Sequence, residues 1–147
     1  MRFLKFMYLK LFRINDTPER VALGLGVGVF LGILPGTGPL AALFMAFIFR
    51  LNRASALLGS VLTNTWFSIV TFILAVKLGA WALGLNWRLV SNAWLFLIRD
   101  FHFSHLFNAA ALKIILPVVL GYIIVAFFSA LVVYLTALIV LKQRKRK

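Results

Sequence analysis

Residues 21–49 read VALGLGVGVFLGILPGTGPLAALFMAFIF, and residues 54–85 read ASALLGSVLTNTWFSIVTFILAVKLGAWALGL. Both runs are apolar and both are interrupted. Leu34-Pro35-Gly36-Thr37-Gly38-Pro39 breaks the first, and Asn64-Thr65 breaks the second. Glycine, proline and asparagine at such places stop a helix and allow another to start, so Thr17 to Leu85 predicts helices that are broken inside an apolar medium. A short basic link, Arg50-Leu51-Asn52-Arg53, separates the two runs.

The first run opens on Asp16-Thr17-Pro18-Glu19, a helix start in which Asp16 or Thr17 caps and Pro18 suits the first turn. Its halves of about 14 and 10 residues reach roughly 21 and 15 Å, short of a hydrocarbon core of about 30 Å. They form either a re-entrant hairpin or one long broken span. Arg20 and Arg50 bracket the run with positive charge at both ends, which favours the hairpin. The match of LPGTG (34–38) to a sorting signal is accidental, because more than a hundred residues follow it. In the second run Asn64-Thr65 is expected to cap a restart at Trp66, and Trp66 to about Leu85 is long enough to cross.

Gly24, Gly28 and Gly32 recur every four residues and line one helix face, where another helix can approach closely. Ala22 with Gly26, and Ser55 with Gly59, add further small-residue packing. The glycine spacing is not that of a dinucleotide-binding loop, and no strand precedes it.

Composition places the chain in a membrane. Of 147 residues, 63% are hydrophobic and 13% charged, and so few polar residues cannot cover a soluble domain of this size. The formal charge of +13 sits beside the apolar runs: at Arg2, Lys5, Lys10, Arg13 and Arg20, at Arg50 and Arg53, and at Lys142, Arg144, Lys145, Arg146 and Lys147. That is the distribution of the positive-inside rule, and such residues also contact anionic headgroups. Arg20, Arg50 and Arg53 read as topology determinants and lipid contacts. No patterned basic face with aromatic platforms suggests nucleic acid. Cysteine is absent, which excludes disulfides and thiol chemistry.

Five segments follow. Residues 1–16 form a cytoplasmic amphipathic helix, with no cleaved signal peptide expected. Residues 17–85 are the broken-helix membrane core. Residues 86–113 form an amphipathic surface segment, with Trp87, Val90, Trp94, Leu97, Ile98 and Phe101 at helical spacing. Residues 114–141 form a transmembrane helix with Pro117 in its first turn, and 142–147 a basic cytoplasmic tail. The fold class is an all-α integral membrane protein: broken or re-entrant helices plus two full crossings, with amphipathic interfacial helices. The expected location is the bacterial cytoplasmic (inner) membrane, multi-pass with both termini cytoplasmic, which leaves Lys77, Arg88, Arg99 and Lys113 as the basic residues elsewhere.

Thr17 to Gly84 resembles the bacterial membrane family called domain of unknown function 2062. The resemblance rests on TPERVALG (17–24), the glycine-rich run to Gly32, Leu34-Pro35-Gly36, Arg50-Leu51-Asn52, Leu58-Gly59, Asn64 and Leu78-Gly79. The family carries Asn-Pro at the second break, where this chain has Asn64-Thr65. The resemblance implies an integral membrane protein with two broken helices and implies no activity.

Two restart points then stand out, Gly38-Pro39 and Asn64-Thr65. Helix N-termini attract anions, and interrupted helices hold substrates in transporters. Thr37, Gly38, Asn64, Thr65 and Lys77 are therefore the candidate site for an anionic headgroup in a transporter or lipid-handling protein. The bland readings are that Lys77 snorkels to the interface and that Asn64 and Thr65 only satisfy backbone groups freed by the break. The alternative function is a non-catalytic membrane subunit organising partner proteins, and a homo-oligomer fits either. Asp100, His102 and His105 make an incomplete metal set and read as interfacial. No residue pattern indicates catalysis, a metal or a cofactor.

Overall fold

In a computed structural model the described residues are 16–66, 68–99 and 109–145. They form six helices and contain no strand: α1 (Pro18–Ile33), α2 (Gly38–Ile48), α3 (Arg53–Trp66), α4 (Ser68–Ala82), α5 (Trp87–Arg99) and α6 (Ala109–Lys145). The amphipathic helix expected over 1–16, apart from Asp16, lies outside these residues, as do Asp100, His102 and His105. The chain divides into two compact units, one of Met1–Trp66 with Phe128–Lys147 and one of Phe67–Phe127.

In the first unit, α1 starts as its sequence dictates. Thr17 is extended, its hydroxyl accepts from the Arg20 N–H at 3.4 Å, and Pro18 fills the first turn. The helix stops at Ile33 because Leu34 precedes a proline and is held extended, at φ −68° and ψ 128°. Gly36 (φ +85°) and Gly38 (φ +60°) turn the chain through backbone angles that side chains resist. Pro39 then sits in the first turn of α2.

α2 ends in a Schellman motif. The Arg50 N–H donates to Phe47 O at 3.3 Å and the Leu51 N–H to Ala46 O at 2.8 Å. The Asn52 N–H then reaches Arg20 O at 3.4 Å, at the start of α1. α1 and α2 are therefore an antiparallel hairpin whose two ends meet.

α3 leaves from that same end and runs parallel to α1. The glycine face makes this pair close. A Cβ on Gly24 would meet Asn52 O and the Ser55 side chain, one on Gly28 would land on Ala56 O, and one on Gly32 would meet Ser60 O and the Thr63 hydroxyl. Gly59 reciprocates from α3, with Leu25 O 2.5 Å and Val29 N 2.9 Å from its position for a Cβ. Gly26 looks elsewhere, to Ala130 and Tyr134 of α6. Helix packing through small residues, expected from the i, i+4, i+8 spacing, is what the structure has.

α2 supplies the apolar exterior of this unit. Leu40 is 82% exposed, and Phe44, Phe47, Ile48 and Phe49 are exposed with it. Water would not tolerate that face, whereas acyl chains match it.

In the second unit, α4 and α6 cross antiparallel through a reciprocal glycine pair: a Cβ on Gly79 would land on Pro117 O, and one on Gly121 on Ala75 O. Val76, Ala80, Val90 and Val118 form the core, with Phe72, Trp94 and Tyr122 packed against it. α5 is amphipathic as its spacing predicted, and Val90 and Trp94, one turn apart, are its inward residues. The ring centroids of Phe72 and Trp94 are 6.4 Å apart. α4 ends in a second Schellman motif, with Gly84 at φ +66° in the position that Arg50 holds after α2.

Four boundaries differ from the sequence reading. Asn64 and Thr65 do not cap a restart at Trp66. They lie in the last turn of α3, which continues through Trp66, and α4 starts at Ser68. α4 has 15 residues and ends at Ala82, about 22 Å of helix, so it does not cross a membrane alone. α6 begins at Ala109 rather than Ile114, because Ala109-Ala110-Ala111-Leu112-Lys113 are strong helix formers. Pro117 therefore lies two turns inside the helix, and α6 also takes in much of the basic tail, through Lys145. Among the described residues one helix is long and apolar enough to cross a membrane: Lys113–Gln143 within α6, 31 residues, or roughly 46 Å. It supports the membrane reading.

Candidate functional site

The most completely bonded polar group in the first unit is Asn52, 2% exposed. It directly precedes α3 and caps it, its Oδ1 accepting from the Ser55 N–H at 2.9 Å. Its carbonyl accepts from Ser55 Oγ at 2.8 Å and from the Ala56 N–H at 3.1 Å. Its Nδ2 donates to Asp16 Oδ2 at 2.9 Å, and the other oxygen of Asp16 lies 3.8 Å from Arg20 Nη1. One side chain thus caps α3 and holds it to the start of α1. The carboxylate between Asn52 and Arg20 is satisfied from both sides.

Around this knot the surface is basic. Arg20, Arg50 and Arg53 are exposed, and Lys142 of α6 joins them through an ion pair with Glu19 at 3.1 Å. Among the described residues this end gathers Arg20, Arg50, Arg53 and Lys142 with Asp16 and Glu19, and the two carboxylates pair with Arg20 and Lys142. Arg53 lays its guanidinium 4.9 Å from the centroid of the Phe47 ring, so the charge sits over the apolar face of α2. Arg50 is the one non-glycine residue at positive φ among the described residues, at 52°. A side chain there costs about 1–2 kcal/mol relative to glycine, so the turn keeps a charge at a position where glycine would be easier. The Glu19–Lys142 pair is half-exposed and worth at most about 1 kcal/mol. It marks where the end of α6 meets the start of α1.

The residues proposed from sequence separate. Thr37 precedes α2 but does not cap it. Its hydroxyl donates back to the carbonyls of α1, to Leu31 O and to Leu34 O at 3.1 Å. The end of α1 has carbonyls without helical partners, and a hydroxyl one short turn away satisfies them. Gly38 supplies the positive φ of the restart. Asn64 and Thr65 belong to the last turn of α3.

Lys77 belongs to the second unit. It is exposed, and its Nζ lies 5.3 Å from the centroid of Trp87. Arg88 Cζ lies 5.7 Å from the same ring. Asn86 fixes this corner by capping α5, its Oδ1 accepting from the Arg88 N–H at 3.0 Å and its carbonyl from Leu89 and Val90.

In the sequence Asn52 is only one residue of the basic link 50–53. Its partner Asp16 is 36 positions away, and no local pattern announces that pair. Arg88 stands in the sequence only as one of the basic residues outside the flanking clusters, and its sharing of Trp87 with Lys77 is not legible there. The local signal is the sequence Asn86-Trp87-Arg88 at a helix start. Among the described residues no three His, Cys, Asp or Glu side chains gather to hold a metal.

A family model described as "Uncharacterized protein conserved in bacteria (DUF2062)" matches residues 1–147, the whole chain rather than the half that carried the resemblance. No curated protein and no solved structure matches the chain.

Proposed function

The chain belongs to that bacterial family, and from this premise we propose that it is a multi-pass inner-membrane protein that handles lipids with anionic headgroups, without catalysing a reaction. The observation that carries the reading is the gathering of Arg20, Arg50, Arg53 and Lys142 at one end of the first unit, beside the exposed apolar face of α2. A cation near a membrane surface contributes about 1 kcal/mol of attraction to anionic lipid. The headgroup sits at this basic end and not at the helix breaks. Thr37 spends its hydroxyl on the carbonyls of α1, and Asn64 and Thr65 lie within a helix.

In this reading both termini are cytoplasmic and the basic end faces the cytoplasm. The α1–α2 hairpin enters and leaves on that side, its ends joined at Arg20 and Asn52. The outward crossing falls within the second apolar run, residues 54–85. α5 lies at the outer surface, and α6 crosses back. The alternative, a subunit that organises partners through its glycine faces, is less favoured, because those faces are filled by the chain's own helices.

The test is purified protein in vesicles carrying fluorescent phosphatidylglycerol or phosphatidylcholine. Preferential retention or transbilayer movement of the anionic lipid, lowered in an Arg20→Gln, Arg50→Gln, Arg53→Gln variant, supports the reading. Equal behaviour of the two lipids with the unaltered protein refutes it.

A further inference from the structure

We propose a second phosphate-recognition site, at Lys77, Trp87 and Arg88 of the second unit. Two cations share one aromatic ring, with Lys77 Nζ 5.3 Å and Arg88 Cζ 5.7 Å from its centroid. Two cations beside one ring leave a local excess of positive charge, which an anion bound next to them would offset.

The second unit offers no carboxylate for that purpose among its described residues. The only acidic residues of the chain are Asp16, Glu19 and Asp100. The first two belong to the other unit, and Asp100 lies outside the described residues. The cations and the ring carry the site, and the Asn86 cap fixes where Trp87 and Arg88 leave α5.

The surroundings fit a phosphate attached to a lipid. Trp81 is 80% exposed and Leu89 69%, with Leu83, Leu85 and Trp87 also exposed, so the segment between Lys77 and Arg88 and the residue after it present apolar and aromatic side chains at the surface. Exposed tryptophans beside basic residues are the composition of a headgroup layer. A phosphate diester of a phospholipid and free inorganic phosphate present the same charge and acceptors, so the shared ligand chemistry is the phosphate anion. Those apolar and aromatic side chains favour the lipid.

The experiment has two arms on the full chain. In nanodiscs of phosphatidylcholine doped with phosphatidylglycerol, native mass spectrometry counts retained anionic lipid. In lipid-free detergent, calorimetry follows binding of inorganic phosphate. Lys77→Gln and Arg88→Gln should each lower occupancy of this one lipid site about fivefold, from loss of a charge-assisted contact to its phosphate, while the lipid held at the basic end of the first unit stays in the count. Lys77→Arg should retain it, which shows that an intact fold with the charge kept is sufficient.

Lys113→Gln removes the same charge from an exposed position elsewhere in the unit and should change nothing. Losses confined to the detergent arm assign the site to free phosphate, and losses in the lipid arm assign it to the headgroup. Both overturning results are plain: no effect of Lys77→Gln and Arg88→Gln in either arm, or an equal effect of Lys113→Gln. The basic end of the first unit keeps its residues throughout, so this test fails or succeeds independently of that reading.

Discussion

Asn52 donates from Nδ2 to Asp16 Oδ2 at 2.9 Å, across 36 positions of chain, while its Oδ1 caps α3. The start of α1 and the start of α3 are thereby held at one level. The glycine contacts of the two helices follow in register from that tie.

Asn52→Ala should destabilise the protein by about 1–3 kcal/mol, because it removes the cap and one donor to a part-buried carboxylate. Asn52→Asp should cost more by placing two carboxylates together. Combining it with Asp16→Asn should recover part of the loss, since the exchanged pair can bond in the opposite sense. Thermal unfolding in detergent, read as a double-mutant cycle, checks this. Additive losses would mean that the pair does not interact.

Glycine substitutions should rank by what an added methyl meets. Gly28→Ala drives a Cβ onto the backbone oxygen of Ala56, so α1 and α3 must separate. The cost should reach the upper part of the range for overpacking, about 3 kcal/mol. Gly26→Ala meets Ala130 O and Tyr134 Cβ at 3.3 Å, which a small shift relieves, and should cost about 1 kcal/mol. The same unfolding assay would contradict this packing if the order were reversed.

Thr37→Val removes the hydroxyl bonded to Leu31 and Leu34 carbonyls. A loss of about 1 kcal/mol in stability is expected, with preference for anionic lipid unchanged. A reduced lipid preference at unchanged stability would return the headgroup to the helix break.

Arg50→Gly separates stability from binding. Glycine relieves the positive φ, so stability should rise by about 1 kcal/mol. Retention of anionic lipid should fall about fivefold from loss of one surface cation. Parallel changes in the two would contradict the role given to this turn.

Much of this architecture is legible locally. The Thr17-Pro18 start, the stop before Pro35, the restart at Gly38-Pro39 and the glycine face act through neighbours within a turn or two, and the structure has each of them. The end of α3 misled, because asparagine and threonine serve in a last turn as well as in a cap. The early start of α6 was readable from Ala109-Ala110-Ala111, which favour helix whatever their depth.

The polar partners were not legible. The hydroxyl of Thr37 had orphan carbonyls behind it and amides ahead of it, and the turn geometry chose between them. Asn52 and Asp16, like Lys77 and Trp87, meet only after helices have packed, and spacing along the chain carries no record of that.

The basic end exists because the end of α2 and the end of α6 both meet the start of α1, at Arg20 and at Glu19. Because the chain has no cysteine, single replacements Arg50→Cys and Lys142→Cys report cleanly with a membrane-impermeant maleimide. Applied to intact spheroplasts and to inverted membrane vesicles, the reagent should label both positions only from the cytoplasmic side. Labelling of the two from opposite faces would contradict the hairpin, the shared basic end and the function placed there.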